Sequence, residues 1–138
     1  MGFCDMSYDT SFLHPQLLFI VWKRNPLLSE TKNFLKTIQE SLSNTTQPLY
    51  FMSDLRHGRI MDIRAISELG KLSEHALWGG STAFSQSPTT RIFVSNFQQR
   101  SQNKERNLFF NTPEESIHFL TGMIPDIISQ IDWQAIIP

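Results

Sequence analysis

The chain has 138 residues and a mass of 16.0 kDa, a size at which one core suffices without disulfide or metal staples. Hydrophobic residues make up 40% and charged residues only 18%, with eleven Phe and three Trp, which excludes a mainly disordered chain. Lys and Arg number 12 against 13 Asp and Glu, for a net charge of -1. The basic excess of a protein that neutralises nucleic-acid phosphates is missing.

Cys4 is the only cysteine, so neither an intramolecular disulfide nor a cysteine-rich zinc site can form. The longest apolar run, Leu17 to Trp22, falls far short of the ~20 residues of a membrane helix. No basic segment followed by an apolar stretch marks a secretory signal. The expectation is one cytoplasmic domain over 1–138, with no nucleic-acid partner, no membrane span and no cofactor.

In chain order, Tyr8, Thr10 and Phe12 alternate with Asp9, Ser11 and Leu13, the pattern of an edge strand before a turn at His14-Pro15-Gln16. Leu17 to Trp22 is short, continuous and rich in β-branched and aromatic residues, as a strand buried on both faces would be. A hairpin over 7–12 and 17–23 is predicted. Ser29 is the expected N-cap of a helix carrying Phe34, Leu35, Ile38 and Leu42 to about Ser43. Leu49 to Met52 reads as a second buried strand closing at Ser53-Asp54, and Asp62 as the cap of a helix running to about His75.

Gly79-Gly80 punctuates the chain before a strand over Ser81 to Ser85. Residues 89–103 fit a strand or a helix opening at Pro88, and the helix is preferred. Leu108 to Phe110 is a short strand. Asn111-Thr112-Pro113-Glu114-Glu115 then combines a capping residue, Pro at the first helical position and acids in the first turn, starting a helix that ends near Gly122. Strand and helix alternate three times after the hairpin, which predicts an α/β fold with a mixed, partly parallel central sheet and helices packed on it. The tail over 122–138 is an apolar extension. Ile124, Ile127, Ile128 and Ile131 share one helical face and, with Trp133, either cover their own sheet or meet a second copy in a homodimer.

Chemistry-bearing residues concentrate in Ser53 to Arg64, at the carboxyl end of the central strand and before a helix, where open α/β sheets gather ligands. Asp54, Arg56, His57, Arg59, Asp62 and Arg64 read either as an anion site or docking surface for an acidic partner, or as a solvated loop of ion pairs. With Gly58 its single glycine and no Lys-Ser or Lys-Thr pair, the segment is not a phosphate-binding loop. Trp78 beside the glycines is a possible lid, or a side chain packed under a loop. Ser81, His75, His57 and Asp54 are the residue types of a serine hydrolase, but no Gly-x-Ser-x-Gly elbow holds them. The histidines at 14, 57, 75 and 118 are isolated, so no metal site is expected.

This order of elements resembles the STAS/SpoIIAA-like superfamily, domains akin to the sporulation anti-anti-sigma factor and related to the Sec14-type lipid-binding fold. The resemblance covers about 17–121. It rests on Leu28-Ser29-Glu30-Thr31 opening the first helix, Leu49 to Leu55 as the central strand, and Leu108 to Leu120 as a strand followed by Thr-x-Glu-Glu and apolar residues. It implies a non-enzymatic module that binds a protein partner or a small apolar ligand. Phospho-regulated members carry a serine after the central strand, but Arg59 to Arg64 holds no Ser or Thr, and Asp62 stands there as a fixed charge.

The reading is therefore a regulatory, protein-binding module whose surface comprises Asp54, Arg56, His57, Arg59, Asp62 and Arg64. Charge reversal at Arg56 and Arg59 is expected to weaken binding and leave the melting temperature alone. The alternative is a carrier of a lipid or other small apolar ligand, in a pocket near Trp78, Phe84, Phe93 and Phe97.

Overall fold

The computed structural model describes residues 6–137; Cys4 lies outside them. The elements are β1 (Tyr8–His14), β2 (Leu17–Trp22), α1 (Leu28–Asn44), β3 (Leu49–Asp54), α2 (Ile63–Leu72), β4 (Trp78–Phe84), α3 (Pro88–Arg100), a 3-10 turn (Lys104–Arg106), β5 (Asn107–Phe110), α4 (Pro113–Met123), α5 (Pro125–Ile128) and α6 (Trp133–Ile136). Five strands form one sheet in the order β1-β2-β3-β4-β5. β1 runs antiparallel to β2, and β2 to β5 are parallel, as the alternation of elements predicts.

Because each crossover advances one strand in the same direction, right-handed connections place α1, α2 and α3 together on one face. The pleat then sorts the apolar run of β2 residue by residue. Leu18, Ile20 and Trp22 join Leu49 and Phe51 of β3 under α1, α2 and α3. Leu17 and Phe19 join Tyr50, Met52 and Phe84 on the other face, beneath α4 and the tail. Full burial of each such side chain contributes about 1.5–3 kcal/mol, so both faces must be covered.

The tail supplies part of that cover. Ile127 and Ile128 are buried against the chain's own sheet, and Ile124, Ile131 and Trp133 are half-buried around them. It does not form the single helix suggested by the isoleucine spacing, but two four-residue turns of helix, with Trp133 Nε1 donating to the Ile128 carbonyl at 3.3 Å.

Several boundaries differ from those read in the sequence. The first helix starts at Leu28, with Leu27 and not Ser29 at the N-cap. Leu27 has no acceptor side chain, and Glu30 reaches back instead, its Oε1 accepting the Leu27 amide at 2.9 Å. Its Oε2 accepts the Ser7 amide at 2.9 Å, tying the start of the hairpin to α1. α2 ends at Leu72 and not His75, because His75 Nδ1 accepts the Leu77 amide at 3.0 Å and closes a turn. β4 begins at Trp78, earlier than Ser81, because a bulge takes up Gly79: Leu49 pairs with Trp78 and Tyr50 with Gly80. A Cβ on Gly79 would lie 2.5 Å from the Tyr50 ring, so only glycine fits the bulge. Residues 88–100 are helical, with Pro88 in the first turn and Ser87 capping.

Candidate functional site

The loop between β3 and α2 lies at the carboxyl end of the parallel strands and packs against the loop between β2 and α1. Arg59 N donates to Asn25 Oδ1 at 3.1 Å, and Asn25 Nδ2 to Met61 Sδ at 3.2 Å. A Cβ on Gly58 would collide with the backbone of Arg24, so the close approach requires glycine. The shared rim carries four large apolar side chains in solvent: Leu27 (66% exposed), Leu28 (55%), Met61 (45%) and Ile63 (43%).

The cations of the loop are not gathered into one patch. Asp54 faces the α4 side of the sheet and is buried. Its Oδ1 accepts Arg56 Nε and the Arg56 amide, both at 3.0 Å, and its Oδ2 accepts Arg56 Nη2 at 2.8 Å. The Arg56 guanidinium also sits over the Phe84 ring, 5.4 Å from its centre. These bonds to Asp54 hold the Arg56 pKa above its ordinary value. Arg56 is therefore paired with Asp54 and packed on Phe84, as the reading of this loop as ion pairs has it, with its side chain 43% exposed.

Arg59 turns to the opposite face, where it lines a cavity with Leu55 and Ile60. Its Nε is sealed from solvent and has no hydrogen-bond partner among the described residues. Asp62 caps α2, its Oδ1 accepting the Arg64 amide at 2.9 Å. His57 and Arg64 are exposed.

The cavity lies between the sheet and α1, α2 and α3 and measures about 110 Å³. Trp78, Phe93 and Phe97 are in its wall, as the pocket reading expects, with Trp22, Phe34 and Phe51. Phe84 is not: it is completely buried on the other face of the sheet, under Arg56, because the pleat turns it away from Ala83. The space is that of a small apolar group. Asn107 fixes the far end, its Oδ1 accepting Trp78 Nε1 at 2.9 Å and Ser81 Oγ at 2.6 Å. A buried Asn at the start of the last strand was not singled out in the sequence, where it carries no periodic signal.

The side chains of hydrolase type are engaged elsewhere: Asp54 with Arg56, Ser81 with Asn107 and His75 with the Leu77 amide. Among the described residues no relay connects them.

No family model matches the sequence, and no curated protein matches it. Solved structures match the fold. The anti-sigma factor antagonist SpoIIAA in its unphosphorylated form superposes with a TM-score of 0.61 at 15% identity, over 83% of this chain and 96% of that one. An uncharacterized protein of the DUF3478 family from Shewanella loihica PV-4, with a SpoIIAA-like fold, gives 0.59 at 11% identity, over 87% and 98%. Apo-SiaC from Pseudomonas aeruginosa gives 0.51 at 6% identity, over 81% and 96%. The chain has the STAS/SpoIIAA-like fold that its element order resembles. No described helix is long and apolar enough to cross a membrane.

Proposed function

We propose that this protein is a non-enzymatic regulatory module that docks another protein on the rim formed by the β2–α1 and β3–α2 loops. The observation that carries the reading is the group of four exposed apolar side chains, Leu27, Leu28, Met61 and Ile63, where two loops bonded to each other through Asn25 run into α1 and α2. Apolar anchors surrounded by polar groups are the usual source of binding energy at protein interfaces. His57 and Arg64 are exposed beside them and favour a partner with acidic residues around an apolar centre. The likeness in fold to an anti-sigma factor antagonist, a protein that acts on another protein, supports the same class.

The docking surface is thus smaller than, and shifted from, the set read in the sequence. Asp54 and Arg56 serve the fold, Asp62 caps a helix, and the apolar pairs take their place. The tail isoleucines and Trp133 are assigned to the core of their own chain and not to self-association.

A photo-crosslinking amino acid at Met61, introduced in the native host, should give one discrete protein adduct. The same group at Ile92, equally exposed on α3, should not. Met61→Asp should leave the melting temperature within about 2 °C, since a surface change costs no more than ~0.5 kcal/mol. It should also abolish the adduct formed from a crosslinker at Leu28. Identical adducts from positions 61 and 92, or none from 61, would refute the docking surface.

A further inference from the structure

We propose that the cavity between the sheet and α1, α2 and α3 binds a small apolar carboxylate whose anionic group is held by Arg59 and Ser53. The inference is independent of the docking reading. It begins from an imbalance in the wall of the cavity. The aromatic part, Trp22, Phe34, Phe51, Trp78, Phe93 and Phe97, asks for an apolar occupant. At the Asn107 end the polar groups are paired with one another: Ser81 and Trp78 both donate to Asn107 Oδ1, and Asn107 Nδ2 donates to the Asn103 carbonyl at 2.9 Å.

The other end is different. The Arg59 Nε is buried without a partner, and no carboxylate lies within ion-pair distance of that guanidinium among the described residues. The Ser53 hydroxyl, in the same wall, makes no hydrogen bond among the described residues either. Among the described residues no Asp or Glu lines the cavity.

A buried donor left unpaired is costly, and folded proteins rarely keep one without a use. An uncharged apolar molecule would fill the space and leave the Arg59 Nε unpaired. Inorganic phosphate would pair Arg59 and leave the aromatic wall empty. A carboxylate on a compact apolar body satisfies both, since a carboxylate offers several lone pairs to a guanidinium and a hydroxyl. The volume limits the body: an engineered apolar cavity of about 150 Å³ holds benzene, so about 110 Å³ takes no more than a single ring or a chain of about six carbons. Within the fold, the pleat makes the site. Phe51 and Ser53 share the α1–α3 face of β3, and Gly58 lets the loop turn back so that Arg59 reaches the same space.

Trp22 and Trp78 line the cavity and Trp133 belongs to the other face, so intrinsic fluorescence reports occupancy. Benzoate and hexanoate, with hexanol as the uncharged counterpart, serve as probes at neutral pH. Hexanoate should bind saturably with one site per chain, at least tenfold more tightly than hexanol. That comparison needs no variant. Arg59→Gln should remove the tenfold preference while leaving hexanol binding unchanged. Ala83→Leu, which fills the cavity from its wall, should abolish binding of all three in a protein with an unchanged circular dichroism spectrum.

Equal binding of hexanoate and hexanol would show an apolar void without an anion site and overturn the proposal. So would no saturable binding of either carboxylate, or a preference that survives Arg59→Gln or Ala83→Leu.

Discussion

Replacing Arg56 with alanine tests whether the loop's arginines are interchangeable. The change strands a carboxylate that is 4% exposed and receives two of its three hydrogen bonds from the Arg56 side chain. Breaking a fully buried ion pair costs about 3–5 kcal/mol. Here Arg56 is 43% exposed, and Asp54 keeps the Arg56 backbone amide, so roughly half of that cost applies, about 1.5–2.5 kcal/mol. For a domain of this size that lowers the melting temperature by roughly 5–10 °C.

Urea unfolding at neutral pH measures the loss directly, with Asp54→Asn and the double variant completing a cycle. The coupling should exceed about 1 kcal/mol. The control is Arg59→Ala, which strands no carboxylate among the described residues and should stay within about 0.5 kcal/mol of the native protein. Charge reversal at Arg56 should be worse than alanine, because it places a second carboxylate beside Asp54. The sequence alone leads to the expectation that reversing Arg56 leaves stability alone; the ion pair with Asp54 predicts a loss instead. An Arg56→Ala protein as stable as the native one, or a loss at Arg59 equal to that at Arg56, would refute the division of roles.

Glu30 supplies a pH prediction. The hydrogen bond from Arg24, helped by the amides of Leu27 and Ser7, lowers its pKa from 4.5 to about 2. A pKa lower in the folded state stabilises above the unfolded value, and that stability disappears as pH falls from about 4.5 toward about 2. Glu30→Gln should therefore be less stable than the native protein at neutral pH, with the gap closing on acidification across that window; a gap unchanged at about pH 2 would contradict it.

Gly79→Ala should cost about 1–3 kcal/mol in thermal or urea unfolding, because its Cβ would meet the Tyr50 ring. Gly122→Ala, in α4 with nothing near its Cβ, should be neutral or stabilising by up to about 1 kcal/mol. Truncation after Met123 removes the buried Ile127 and Ile128 and should cost about 3–6 kcal/mol, with dye binding at the uncovered face of Leu17, Phe19 and Met52. A truncated protein of native stability would show that the tail does not cover the sheet.

The fold was legible where pattern and physics coincide. The apolar run of β2, the Thr112-Pro113-Glu114-Glu115 start of α4 and the Asp62 cap each specify their element locally, and the structure has all three. What a sequence pattern does not carry is reach across the chain. Glu30 caps α1 from inside the helix and holds the Ser7 amide, 23 positions away, so Ser29 looked the better cap. His75 continues a helical spacing yet bonds the Leu77 amide and ends the turn. The tail isoleucines satisfy a helical period, but Ile124 to Ile131 follow the curved surface of their own sheet in short turns.

The candidate site shows the same boundary most sharply. Arg56 and Arg59 sit three positions apart in a loop without periodicity, so nothing local distinguishes them. Their fates follow from the strand before them. Ser53 and Asp54 are neighbours in β3, and the pleat sends one to each face of the sheet. Asp54, already buried on the α4 side, takes the first arginine to arrive, and the Phe84 ring beneath it completes that site. The chain turns back at Gly58, and the next arginine comes down on the Ser53 side, where no carboxylate among the described residues meets it. One cation is thus neutralised by the fold, and the other keeps its buried Nε without a partner among the described residues, in the wall of an apolar cavity. Stability should follow Arg56 and anion binding Arg59, so the two measurements should move independently across the same pair of variants.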